Sequence, residues 1–115
     1  MKTKNIRYYR TLCGKEPFSD WLRGLRDLTT RARVLRRLDR VALGHYGDYK
    51  ALGDGVYELR LAFGPGYRVY FCEYDNVTVI LLIAGDKSRQ SKDIALAKQY
   101  CRELRGNNHE QAIND

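Results

Sequence analysis

The chain has 115 residues, a length that fits one domain, because chains divide into several domains only above roughly 250 residues. Its composition, 43% hydrophobic and 30% charged, is typical of a globular protein with an ordinary core. Lysine and arginine number 21 against 14 acidic residues, and the net charge of +7 indicates a polyanionic partner: nucleic acid, an acidic membrane surface or an acidic protein. The length excludes a Rossmann-type enzyme, a TIM barrel and a kinase.

Targeting signals and cysteine usage predict a cytoplasmic protein. No run approaches the roughly 20 apolar residues that span a bilayer, and no apolar segment of the secretory type follows the basic N-terminus. Cys13, Cys72 and Cys101 lie far apart and form no CxxC pair, so we expect reduced packing residues. With only His45 and His109 to assist them, they predict no metal site and no other cofactor.

The N-terminal half predicts a strand followed by two short helices. Residues 6–9 favour a strand, and the chain then enters a helix near Ser19 whose apolar residues recur at helical spacing. Thr29 or Thr30 is expected to cap a second helix that runs to about Leu43, where Gly44 suits the C-terminal cap. One apolar face on each helix predicts a helical hairpin.

The central part alternates as strands do. Residues 56–61 and 67–71 flank the turn 64–66, and residues 77–83 form a third strand that is apolar on both faces, as a central strand is. A last helix starts near Gln90 or Lys92. The expected order is β–α–α–β–β–β–α, an α+β fold with the helices on one face of the sheet. Residues 1–106 form the single domain, and residues 107–115 form a polar tail.

Polar residues of two strands are predicted to share the sheet face that carries no helix. Glu58 and Arg60 lie opposite the apolar set of one strand, and Arg68 and Tyr70 do so on the next. If that face is open, these groups make an anion site with a carboxylate that orients the arginines; the alternative is a Glu–Arg pair that only stabilises the sheet. Lys87, Gln90 and Lys92 follow the next strand and extend the patch.

The second helix is rich in arginine. Seven arginines and two aspartates lie between Arg23 and Arg40. This face is a solvated surface, a docking surface for phosphates, or a set of long stems packed over apolar side chains. The predicted RNA contacts here are Arg36, Arg37 and Arg40, together with Lys50.

Metal-free RNA cleavage is the chemistry that such a patch supports. The chain has no Ser-His-Asp set, no phosphate-binding GxxxxGK[ST] loop and no HExxH motif. Cleavage by the ribose 2′-OH needs a group that takes its proton, cations for the phosphorane and a donor for the leaving oxygen. Tyr70, Glu58 or a lysine are the candidate bases.

Three segments together resemble the RelE/ParE toxin superfamily. They are residues 52–60, LGDGVYELR, residues 64–71, GPGYRVYF, and residues 81–94, LLIAGDKSRQSKDI. Their order and spacing are most similar to the HigB-like addiction module killer proteins, which are related to phage Gp49. The resemblance extends from about residue 6 to residue 104.

The resemblance implies a RelE-like fold, in which a helical hairpin and a C-terminal helix pack on a twisted antiparallel sheet. It also implies the toxin of a type II toxin–antitoxin system, a metal-independent endoribonuclease that cuts ribosome-bound mRNA and so inhibits translation. The implied partner is a cognate antitoxin of the helix-turn-helix, HigA-like kind. Arg60 and Arg68 would contact the scissile phosphate, Lys87 would be a further cation, and Gln90 and Lys92 would contact RNA.

Two other functions stay open. A ParE-like toxin binds and poisons DNA gyrase without catalysis, and a basic RNA-binding module has no toxic action. The three cations Arg60, Arg68 and Lys87 favour the nuclease. The sequence departs from relatives that use histidines or a C-terminal tyrosine, because no histidine falls in its sheet and Tyr100 lies within the last helix.

Overall fold

The structure is a computed structural model that describes residues 3–107 and 113–114. Within these residues the strands are β1 (Asn5–Tyr9), β2 (Tyr49–Gly53), β3 (Val56–Leu61), β4 (Tyr67–Glu73), β5 (Thr78–Gly85) and β6 (Ile113–Asn114). The helices are α1 (Pro17–Arg23), α2 (Leu28–Ala42) and α3 (Gln90–Asn107), and a 3₁₀ turn, Lys87–Arg89, links β5 to α3.

All six strands form one mixed sheet in the order β2-β3-β4-β5-β1-β6. Strands β2 to β5 are an antiparallel meander, β1 runs parallel to β5, and β6 pairs antiparallel with β1. The α+β fold class is confirmed, and the arrangement is consistent with a RelE-like fold. The sequence prediction missed β2, because its residues YKALG are largely exposed and do not alternate. Of the predicted polar tail, residue 107 ends α3 and residues 113–114 form β6, and the other residues of the tail lie outside the described residues.

Helices cover both faces of the sheet, so the prediction of helices on one face is wrong. On one side α1 and α2 pack against the inward residues of the meander, including Leu59, Val69 and Phe71. On the other side α3 packs Ala97, Cys101 and Leu104 against the opposite set of strand residues. The apolar side of α3 is stable in water only when it is buried, and the second face of the sheet buries it.

The boundary between α1 and α2 differs from the predicted one. Helix α1 already ends at Arg23, and Asp27 caps α2 by accepting from the Thr29 amide and the Thr30 hydroxyl. Aspartate is one of the best N-cap residues, and here it precedes the two threonines that were expected to serve. Helix α2 ends at Ala42 with Leu43 as its C-cap, and Gly44, the predicted cap residue, follows at φ +88°, a conformation that glycine adopts freely.

Two of the three cysteines pack in the core. Cys72 and Cys101 are buried between the sheet and α3, which confirms the packing interpretation for both, whereas Cys13 is exposed and does not fit it. Across residues 3–107 and 113–114, no group of three or more potential ligands is arranged for a metal ion. None of the helices in these residues is both long and apolar enough to cross a membrane.

Candidate active site

Glu58 is the centre of a polar cluster between the sheet and the start of α3. Its side chain is 1% exposed and accepts from Arg60 Nε at 3.2 Å and from Gln90 Nε2 at 2.8 Å. Arg68 Nε lies 3.6 Å from the second carboxylate oxygen. Arg60 and Arg68 face each other across β3 and β4, and without Glu58 two like charges would be adjacent. The buried carboxylate therefore aims both arginines.

The outer nitrogens of the two arginines remain available. Within the described residues neither Arg60 Nη atom makes a hydrogen bond, and Arg68 uses Nη1 for the Gly66 carbonyl at 2.6 Å and leaves Nη2 unpaired. The Arg60 side chain is 40% exposed and that of Arg68 is 15% exposed. Two guanidinium groups with free planar donors at one place fit the oxygens of a phosphate.

The base of the Lys87 side chain lies beside the tip of the β3–β4 hairpin, next to Arg68. Gly66 has φ +79°, and a Cβ added there would lie 3.0 Å from Arg68 Nη1 and 3.6 Å from Lys87 Cβ. The glycine thus permits a backbone conformation and a close approach that a larger residue would disturb. Lys87 itself is exposed, in the 3₁₀ turn that begins after Asp86.

Tyr70 is buried beside Glu58, opposite it in the β3–β4 register. Burial raises the pKa of Tyr70 above its ordinary value, and the negative charges of Glu58 and Asp93 raise it further against the opposing charge of Arg68. An ordinary tyrosine is already protonated at physiological pH, and this shift keeps the Tyr70 phenol protonated there. Strand β5 carries an extra residue opposite Tyr70 and Phe71, a bulge of the kind often found next to active sites.

The expectation of an open polar face is wrong. Helix α3 covers it, so that Glu58 and Tyr70 are fully buried and only the arginines reach solvent. Gln90 forms part of the cluster. Lys92 is exposed on the first turn of α3, and Lys50 is exposed on β2 directly opposite Glu58, on the same sheet face. The alternation of the strands placed Glu58, Arg60, Arg68 and Tyr70 on the correct face of the sheet, but it gave no information about which element covers that face.

A second basic surface lies on the other side of the β3–β4 hairpin, and we call it the arginine groove. It has a volume of about 280 Å³ and is lined by Arg33, Arg36, Arg37, Arg40 and residues 61–63. Arg33 stacks on the ring of Phe63 at 4.0 Å from its centre, a cation–π contact. Arg36 and Arg40 are exposed along the rim.

Arg37 differs from its neighbours in the arginine groove. Its guanidinium donates to the carbonyls of Tyr46 at 2.9 Å, Asp48 at 2.9 Å and Arg60 at 2.6 Å. Burial lowers the pKa of Arg37 from its ordinary value, against the charge of Asp48. The side chain thus ties α2 to the loop before β2 and to the end of β3.

Sequence reasoning missed Asp93. It lies four, eight and eleven positions before Ala97, Cys101 and Leu104, on the buried stripe of α3, and it is 2% exposed. Burial raises the pKa of Asp93, and the charge of Arg89 opposes the shift. The sequence signal for Asp93 was an acidic residue at the same helical spacing as the buried apolar residues of α3.

Comparison with known proteins places the chain in a family. Residues 20–105 match the model of the family "Phage derived protein Gp49-like (DUF891)". A Haemophilus influenzae protein with the printed name "Uncharacterized protein" is 46% identical over 87 residues, which are 76% of this chain and 88% of that protein. The chain therefore belongs to the Gp49-like family, within the addiction-module toxin (RelE/HigB-like) group.

Proposed function

We propose that the protein is the toxin of a type II toxin–antitoxin system and that it cleaves mRNA, on the ribosome, without a metal ion. The observation that carries the proposal is the pair Arg60 and Arg68, aimed by the buried carboxylate of Glu58 and joined by Lys87. Membership in the addiction-module group supports the toxin assignment and indicates an antitoxin partner. A helix-turn-helix, HigA-like protein is the antitoxin we expect.

The cluster fits cleavage by the neighbouring ribose hydroxyl. The 2′-hydroxyl gives its proton to solvent water as its oxygen attacks the phosphorus. The bond from phosphorus to the 5′-oxygen breaks, that oxygen takes up a proton from solvent, and the products are a 2′,3′-cyclic phosphate and a 5′-hydroxyl. Negative charge grows on the phosphoryl oxygens during this step, and fixed guanidinium donors stabilise it more than they stabilise the ground state. In our proposal Arg60 and Arg68 bind these oxygens, and the exposed ammonium of Lys87 supports the leaving oxygen.

Glu58 and Tyr70 act from behind the arginines in this proposal. Glu58 occupies the Nε side of both guanidinium groups and leaves the Nη side for substrate, which is the role of an orienting carboxylate. Tyr70 lies next to Glu58, and its raised pKa keeps the hydroxyl protonated on the buried side of the cluster. Their burial supports orientation of the catalytic groups rather than direct attack on RNA.

In our proposal RNA leaves the cluster over cations and one amide side chain on both sides of the β3–β4 hairpin. Gln90, Lys92 and Lys50 lie on the α3 side, and Arg36 and Arg40 lie in the arginine groove on the other. Arg37 was expected among these contacts, but its donors are engaged by three backbone carbonyls. We therefore assign it to the structure of α2 and not to RNA.

Induced expression in bacteria tests the nuclease proposal. We expect growth and translation to stop and transcripts to be cut within codons. Arg68→Ala should remove the effect, because loss of one well-placed donor lowers kcat by about 10²–10³. The matched control is Arg102→Ala, which removes an exposed arginine from α3.

The same experiment separates the other functions. Intact transcripts together with broken chromosomes would contradict the nuclease and favour a gyrase poison. Normal growth with a folded, expressed protein would favour a simple RNA-binding module. An Arg68→Ala variant that is folded and fully toxic would remove the Glu58 cluster from the mechanism.

A further inference from the structure

Asp93 is a buried carboxylate beside the Glu58 cluster. It has no role in the RNA contacts proposed above. Its Oδ2 atom has no hydrogen-bond partner within the described residues, and its Oδ1 atom lies 3.8 Å from Nε of the exposed Arg89. A buried acid with an unpaired oxygen lowers stability. Such groups are common where a protein uses the charge.

Gly85 leaves room for the carboxyl of Asp93. A Cβ built on that residue would overlap Asp93 Oδ2, so the acid reaches this place only because position 85 is glycine. Gly85 is the register partner of Arg68 between β5 and β4. The first turn of α3 therefore presses its acid against the strand residue that neighbours a phosphate-binding arginine.

Tyr70 lies opposite Glu58 in the β3–β4 register and is buried in the same region as Asp93. Its hydroxyl is buried and, like Asp93 Oδ2, has no hydrogen-bond partner within the described residues at normal geometry. The charges of both acids act on the Tyr70 hydroxyl. Other charges that face this group are Arg68 from β4 and, on the Asp93 side, Arg89 and Asp86 from the turn before α3.

We propose that Asp93 is a positioning residue of the nuclease site, packed against Gly85 so that it fixes the first turn of α3 beside the buried Tyr70 hydroxyl. The inference rests on the proposed nuclease function for its kinetic consequence. Gln90, three residues before Asp93, donates to Glu58, so a shift of this turn would move a partner of the orienting carboxylate. The charge state of Asp93 then affects the alignment of Arg60 and Arg68.

Asp93→Asn tests the assignment, because asparagine keeps the shape of the side chain and removes its titration. We expect kcat for RNA cleavage to fall about tenfold with little change in KM, since the exposed RNA contacts remain. We also expect the wild-type rate to fall on the acid side of its pH profile, and Asp93→Asn to lose that dependence. Asp54→Asn is the control, because Asp54 is an exposed acid in the turn between β2 and β3 and is paired with Lys98 of α3.

A second readout uses the free protein and needs no RNA. In a carbon-detected NMR titration from acid to neutral pH, we expect the Asp93 carboxyl and the Tyr70 ring signals to share one transition. Asp93→Asn should abolish that transition in Tyr70, and Asp54→Asn should retain it. The wild-type titration remains decisive if Asp93→Asn does not fold.

The outcomes distinguish this inference from the nuclease proposal. If the wild type cleaves RNA and Asp93→Asn matches it in kcat and in pH profile, Asp93 has no positioning role and the nuclease stands. Tyr70 signals that ignore the Asp93 transition would also overturn the inference. If the wild type cleaves no RNA, the nuclease proposal fails, and the assignment of Asp93 to that reaction falls with it.

Discussion

Glu58 shows how strongly one buried charge depends on its partners. A carboxylate that is 1% exposed is stable only where cations and donors replace its water, and Arg60, Arg68 and Gln90 do this. We expect Glu58→Ala to lower the free energy of unfolding by about 3 kcal/mol, because it leaves two opposed guanidinium groups without their shared anion. Urea denaturation of the purified variant measures this.

Glu58→Gln is the informative comparison at this position. The amide keeps one acceptor oxygen and the size of the side chain but removes the charge, so it should cost less stability than alanine does and still misorient the arginines. Asp39→Asn, at an exposed acid of α2, should change the unfolding free energy by less than about 0.5 kcal/mol. A Glu58→Ala protein as stable as the wild type would mean that solvent screens the two arginines without help.

At the residue scale, the sequence predicted the faces of the strands but not their burial. Alternation in 56–61 and 67–71 correctly placed Glu58, Arg60, Arg68 and Tyr70 on one side of the sheet. Whether that side is open depends on where α3 packs, which is a long-range property. Asp93 was missed for a related reason. An acidic residue within an apolar stripe is recognised as a buried acid only if the stripe itself is known to be buried.

At the scale of elements, α2 is attached to the sheet edge by Arg37 as well as by its apolar stripe. Three carbonyls, those of Tyr46, Asp48 and Arg60, accept from this one guanidinium. We expect Arg37→Met to lower the free energy of unfolding by about 3 kcal/mol, because hydrogen bonds from a charged donor are worth about 1.5–3 kcal/mol each and part of the loss is recovered by solvation.

The neighbouring arginine provides the control for that prediction. Arg36→Met removes the same side chain one position earlier, where it is exposed, and should leave stability within about 0.5 kcal/mol of the wild type. Thermal and chemical denaturation of the two variants side by side make the comparison. Equal stabilities would show that the backbone contacts of Arg37 contribute no more than a solvated arginine.

Adjacent arginines were indistinguishable in the sequence for a physical reason. Successive residues of a helix point about 100° apart, so Arg37 faces the backbone carbonyls at the groove wall and Arg36 lies at the exposed rim. The carbonyls that take up Arg37 belong to residues 46–48 and to the end of β3, and local patterns do not report such distant acceptors. The same limit explains why the parallel pairing of β1 with β5 was not predicted, whereas the meander was largely recovered from its turns.

At the scale of the whole molecule, two positively charged surfaces lie on either side of the β3–β4 hairpin. One contains the outer nitrogens of the Glu58 cluster with Lys87, and the other is the rim of the arginine groove. Both surround residues 61–67, which arginines contact from each side. A single strand that wraps this hairpin would contact reactive and docking cations together, and its affinity would depend on both.

Salt dependence of binding separates a local contact from the effect of net charge. The probe is a single-stranded oligonucleotide with 2′-O-methyl riboses, which lacks the attacking hydroxyl and is not cleaved. Each phosphate contact contributes about 0.7 to the slope of log affinity against log salt concentration, so Arg36→Ala/Arg40→Ala should reduce the slope by about 1.4. Arg26→Ala/Arg102→Ala makes the same change to the net charge of +7 at exposed sites outside both surfaces and should leave the slope nearly unchanged. Equal slopes for the two double variants would show that the arginine groove attracts RNA only through the overall charge of the protein.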